Sequence, residues 1–257
     1  MPTETNYMLG AGKILLAERV SGTLGNYKYV GESPSLSVSA SSETKPLFSS
    51  DRAVKRKIRN PITQVDYSAS FSASNISNAN LAKFFLGEIS SVSQPLTSVT
   101  DESHTVDQGD FIRLGVTTAN KTGVRNVSNV VVTNTGDTVT YAIDTDYRLT
   151  PENGVIEIVD GGAIAAASAE EILVDYDIAA ESREQVLSKG RPFEGAMLYI
   201  ADNTDGTNKD LSFPSIILSP NGEFSLKGDD WASIPFSCEI LELDDQTEAV
   251  ILDSPSS

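Results

Sequence analysis

The chain has one cysteine and one histidine among 257 residues, and each scarcity removes a class of function. A single cysteine, Cys238, excludes an internal disulfide framework and a cysteine-rich metal site. It lies in the alternating run Phe236-Ser-Cys-Glu-Ile, where a small buried hydrophobe is the expected role. A Ser-His-Asp site would have to use His104, which sits in Asp101-Glu-Ser-His-Thr and reads as a solvated loop histidine. No apolar run approaches the roughly 20 residues that cross a bilayer, so no membrane partner is expected. The start, Met-Pro-Thr-Glu, has no basic stretch followed by an apolar one, and no secretory signal is expected. The Asn-x-Ser/Thr triplets at Asn75, Asn120 and Asn126 then read as chance matches.

Other signatures of chemistry are also missing. Gly10-Ala-Gly-Lys13 resembles part of a phosphate loop, but Tyr7 and Ile14 stand where glycine and Ser/Thr are required. A strand start with flexible glycines is the expected role. Asp202-Asn-Thr-Asp-Gly lacks the full calcium-loop spacing and reads as a turn. The expectation is a non-enzyme without cofactor or metal.

Charge is plentiful and unevenly placed. The net charge is −17, with residues 98–257 alone at −20. Residues 43–60 run the other way, at +4, with Lys45, Arg52, Lys55, Arg56, Lys57 and Arg59 against Glu43 and Asp51. A basic island in an acidic chain suits a polyanion or an acidic face of another copy. Phe48 is its only aromatic, and the acidic remainder would repel a duplex, so a protein contact is favoured.

The pattern is strand-dominated. Ser35-Leu-Ser-Val-Ser-Ala-Ser alternates with period two, and so does Ile62 onward to Phe71. The connection between them is too long for a tight hairpin and reads as a functional loop. One short helix is expected around Leu81, Phe84 and Phe85, capped by Asn75 or Ser77 and stopped by Gly87. From about Pro95 to Ala180 the texture becomes Thr-, Val-, Asp- and Gly-rich, with strands expected at 111–116, 124–133, 137–143, 154–159 and 171–178. That segment reads as a small β module, 96–179, inserted into a larger β domain formed by 1–95 and 180–257. Strands return at 196–201, 211–218 and 223–226, with Pro214 and Pro235 expected at bulges or edges. Val250-Ile-Leu near the end is read as a segment that docks on a neighbour.

Several phrases together resemble the major tail tube proteins of bacteriophages with long, non-contractile tails. They are Leu9-Gly-Ala-Gly-Lys-Ile-Leu-Leu, Tyr29-Val-Gly-Glu-Ser-Pro-Ser-Leu-Ser-Val and the stretch Ser74 to Gly87. Further on come Thr145-Asp-Tyr-Arg-Leu-Thr-Pro-Glu-Asn-Gly-Val-Ile, Glu194-Gly-Ala-Met-Leu-Tyr-Ile, Leu211-Ser-Phe-Pro-Ser-Ile-Ile-Leu-Ser-Pro-Asn-Gly-Glu and Gly228-Asp-Asp-Trp. The resemblance implies an all-β, two-sheet β-sandwich with one flanking helix. It implies six copies in a ring and rings stacked into a tube within the virion tail, after synthesis in the host cytoplasm. The implied partners are other copies, a tape-measure protein, tail tip and tail terminator proteins, and DNA as non-specific passing cargo. In such a tube the loop 43–60 would reach the adjacent ring. The bore would then be lined by polar strand faces: Ser35, Ser37, Ser39 and Ser41 on the first strand, and Gln64, Asp66, Ser68 and Ser70 on the second. A carbohydrate- or host-binding β-sandwich adhesion module is the alternative that the strand pattern also accommodates.

Overall fold

The computed structural model describes residues 7–51, 53–244 and 247–254. In chain order the strands are β1 Gly12–Val20, β2 Thr23–Leu24, β3 Lys28–Tyr29, β4 Ser35–Thr44, β5 Leu47–Phe48, β6 Lys57–Arg59 and β7 Ile62–Ala73. Helix α1 Asn78–Phe84 follows, then β8 Gly87–Gln94, β9 Thr97–Val106, β10 Phe111–Arg113, β11 Val127–Asn134, β12 Tyr147–Thr150, β13 Val155–Ile158 and β14 Glu170–Ile178. The chain closes with β15 Glu181–Ser188, β16 Phe193–Ala201, β17 Asp210–Pro220, β18 Ile234–Ile240 and β19 Ile251–Asp253. The fold is an all-β sandwich, as the alternation of apolar and polar residues expects. It divides into two compact units, residues 1–90 with 185–257, and residues 91–184.

In the first unit the strands run β2-β1-β16-β17-β18-β7-β4, with β3 added on β1 and β19 on β17. The inward rows are cross-strand neighbours: Leu36, Phe71 and Phe236 in one, and Ala69, Cys238 and Leu218 in the next, where Val38 opposite Ala69 at the edge stays exposed. Phe213, Phe236, Met197 and Ile234 are fully buried in this core, and each apolar side chain so buried stabilises by about 1.5–3 kcal/mol. Phe213 lies an odd three residues from Ile216, yet both are inside. The register shift opposite Gly195 and Met197 explains this, because Pro214 and Ser215 form the bulge that the proline requires. Pro235 lies one residue beyond the last rung of the β17/β18 ladder, where its missing N–H leaves no gap and its carbonyl accepts from the Asn221 amide.

Helix α1 has the expected cap, the Ser77 hydroxyl accepting from the Asn80 amide at 3.3 Å. Seven residues do not make a stable helix alone. Leu81 and Phe84 hold it against the core, and the Phe84 ring meets Phe236 edge-on at 6.3 Å. The helix stops at Leu86, whose φ of 50° is left-handed. Gly87 is not the stop: a Cβ there would lie 2.2 Å from the Leu187 carbonyl, so the glycine admits β15 beside β8. The segment 223–226 is not a strand either. Phe224 there leaves the sheet to pack on the Phe84 ring, 6.0 Å away. Val250-Ile-Leu docks at home, Val250 against the core and Leu252 opposite Leu211 of β17.

The second unit is two three-stranded antiparallel sheets, β10-β13-β12 and β11-β14-β9, sharing one core. Residues 137–143 form no regular strand, but the chain reverses after Asn134, whose side chain accepts from the Thr138 and Val139 amides, and returns along β11 with Thr140 bridged to Thr133 and the Tyr141 amide bonded to the Val132 carbonyl. Gln94 fastens the ends of the unit, donating to the carbonyls of Arg125 and Ala179 and accepting from the Arg125 amide. His104 lies in β9 opposite Ile172, and so belongs to a strand where a loop was expected.

Candidate functional site

The connection 43–60 is a β ribbon over much of its length, with a loop between β5 and β6. Strands β4 and β7 pair from Ser35↔Ser72 out to Thr44↔Ile62. β18 accompanies them only as far as Ile240↔Tyr67. Beyond that rung two strands continue alone. Lys45 donates its amide to the Pro61 carbonyl, β5 pairs with β6, and the Ser49 amide bonds the Arg56 carbonyl at the tip. The ladder thus persists through a segment whose charges and two prolines hide any alternation.

The ribbon is solvated on both faces. Lys45, Lys55, Arg56, Lys57 and Arg59 are all exposed, and among the described residues none of them forms an ion pair. Arg52 lies outside the described residues. Apolar side chains are interleaved with these cations: Val65 is 49% exposed and Val54 75%, and Leu47, Phe48, Ile58 and Ile62 are also open to water. A bulge at Thr63 keeps Ile62 on the same ribbon face as Val65 despite their odd spacing. An isolated two-stranded ribbon is marginally stable in water, and apolar surface held out on one marks a contact site.

The polar faces of β4 and β7 prove to be one face. Ser37 sits opposite Ser70, Ser39 opposite Ser68 and Ser41 opposite Asp66. Ser70 in turn neighbours Ser237, which neighbours Ser219, so four serines cross four adjacent strands in a single row. In the next row Ser39 and Ser68 are followed by Glu239 and Ile217. Ser35, Ser37, Ser39, Ser68 and Ser70 therefore belong to the sheet, while Ser41, Asp66 and Gln64 stand on the free ribbon. The Gln64 amide donates to the Asp66 carboxylate at 2.9 Å. Sequence alternation identified these positions, whereas β17 and β18, which extend the wall, carry no signal linking them to β4.

A second feature of the first unit is a cleft of about 680 Å³. Leu16, Val30, Ala82 and Phe193 form its buried floor. Lys28, Lys83, Lys189 and Arg191 stand around it against Glu18 and Glu88. Lys189 pairs with Glu88 at 3.2 Å, and the Lys83 ammonium lies 5.6 Å over the Phe193 ring while donating to the Ala79 carbonyl. Burial holds the Lys83 amine below its ordinary value, with Glu18 pulling the other way. Nothing in the sequence gathers these residues, which come from β1, from β3 and the residue after it, from α1, from β8, and from the segment leading into β16 with its first residue.

Elsewhere, titratable groups serve structure. Glu102 accepts from the Gly115 amide at 3.0 Å and from the Tyr176 hydroxyl, and pairs with His104 at 3.1 Å. Burial alone would raise its pKa, but hydrogen bonds from His104, Tyr176 and Gly115 outweigh that and lower it. The Cys238 thiol is pushed up to about 12 by burial, which leaves it inert. At Gly12 a Cβ would meet the Ile200 carbonyl at 2.3 Å, so the glycine of the phosphate-loop-like phrase is a packing glycine at a strand start. Asp202 to Gly206 form a loop in which the Asn203 side chain bonds the Thr207 carbonyl. Among the described residues no cluster of acidic, histidine or cysteine side chains has metal-binding geometry.

No curated protein matched the chain. One family model does, over residues 7–251, nearly the full length. The chain therefore belongs to the family described as Protein of unknown function UCP028589.

Proposed function

We propose that the protein is a self-assembling structural subunit, the repeating unit of a phage tail tube, whose copies form rings that stack into a conduit for DNA. The observation that carries this reading is the exposed ribbon, where cations that form no ion pair among the described residues project from a folded body together with exposed apolar side chains. A +4 ribbon on a chain of net charge −17 is complementary to the remainder of another copy, and such complementarity sets polarity and register. Contacts between unlike surfaces propagate as open stacks. The hydroxyl wall suits a bore, since it offers no cation to hold phosphate and little apolar surface. In this reading the further partners are a tape-measure protein, tail tip and terminator proteins and the passing DNA, and the site of action is the virion tail.

Electron microscopy of the purified protein, concentrated at low salt, is the test. Rings or striated tubes are expected, and they should thin out as added salt screens the ribbon cations. Monodisperse single particles at every concentration and salt would overturn the proposal.

A further inference from the structure

Trp231 is the chain's only tryptophan, and it is 99% exposed. It sits at the end of the loop between β17 and β18, beside Asp229 and Asp230, with Leu226 also 84% exposed. Fully exposed indole is unusual in a folded domain, whereas buried tryptophan is among the commonest anchors of protein interfaces. Phe224 of the same loop packs on the Phe84 ring, and Ile234, three residues after Trp231, is fully buried. Residues 223–231 carry three carboxylates and one lysine.

The cleft beside α1 has the opposite character. Its lining holds four cations against two carboxylates over an apolar floor, and its volume lies in the range of roughly 300–1,000 Å³ typical of ligand sites. The Phe193 ring offers an aromatic partner, and the partly desolvated Lys83 would gain from a nearby carboxylate. Apolar floor answers indole, and cationic rim answers the two aspartates.

We infer that Trp231 of one copy inserts into the cleft of a second copy, with Asp229 and Asp230 meeting the cations around it. The contact joins two different surfaces, so each copy keeps one unused half and the association can propagate. This deepens the self-assembly reading and rests on it, but uses surfaces separate from the ribbon.

Because no other tryptophan is present, intrinsic fluorescence reports Trp231 alone. As wild-type protein is concentrated, its emission should shift to the blue and its quenching by acrylamide should fall. Trp231→Ala, and separately Lys28→Glu with Arg191→Glu at two exposed rim positions, should each weaken self-association at least tenfold in sedimentation. Mixing the two variants should restore a one-to-one species, since one supplies the cleft and the other the indole. Its tryptophan emission should be blue-shifted. Assembled wild type with a fully quenchable Trp231 would overturn this contact and leave the ribbon-based reading standing. A blue shift independent of concentration would place the indole in its own chain and also overturn it. Absence of any assembled species would remove both.

Discussion

Asp146 shows how much a single side chain can hide. It is buried, and its carboxylate oxygens accept from the Ala142 and Ala163 amides at 2.8 Å each. Those bonds, Ala142 first, hold its carboxyl below the usual aspartate range. The folded value thus lies below the unfolded one, so the stabilisation is complete above about pH 4 and is lost as pH falls through the folded value. Asp146→Ala should cost about 1–3 kcal/mol, the penalty of stranding buried donors, in urea melts at pH 7. The difference from wild type should shrink at pH 2–3, and an unchanged difference there would contradict the assignment. In the sequence nothing distinguishes Asp146 from Asp144 two residues before it. Spacing shows that two carboxylates are close along the chain, but the inward turn of one depends on amides 4 and 17 residues away. Cys238 was legible by contrast, because its neighbours alternate and a small thiol fits only the inward set.

At the scale of elements, β4 and β7 could be read from their alternation, and α1 from its cap and apolar face. The ribbon beyond them could not. Pro46 and Pro61 interrupt it, the cations occupy both faces, and a ladder solvated on both sides imposes no alternation on the sequence. Its pairing continues the β4/β7 ladder outward through the bond from the Lys45 amide to the Pro61 carbonyl. Replacing residues 49–56 with Asn-Gly should close β5 and β6 in a two-residue turn. Because Ser50, Asp51 and residues 53–56 are exposed, stability should change by no more than about 0.5 kcal/mol, while assembly yield in microscopy should drop at least tenfold. Tubes at the wild-type yield would show that the tip is dispensable. The helix stop is hidden in the sequence for a related reason. Gly87 looked like a terminator, whereas its demand comes from the Leu187 carbonyl, a neighbour one hundred residues away in the chain.

At the scale of the whole molecule, a change of texture near Pro95 and again near Ala180 marked a module, and the compact unit spans 91–184. Each unit has its own buried core. Replacing 91–184 with a short linker should therefore leave the first unit soluble, with a β-type circular dichroism spectrum and a cooperative melt. Aggregation or a featureless melt would show that the cores depend on one another. The excised unit carries 16 carboxylates against five cations, a net charge of −11, so the remainder should also elute earlier from an anion exchanger. The serine row of the first unit has a consequence of another kind. Ser37, Ser70, Ser237 and Ser219 stand in register on neighbouring strands, each with a hydroxyl that can turn freely to donate or accept. Such a wall holds a film of water without fixing its orientation, and it has no bonding pattern that a sliding polymer must break at one position and remake at the next. If the wall faces a bore, its contribution to transport is low friction: the cargo moves on the water film, and speed is governed by the driving pressure and the viscosity of that film.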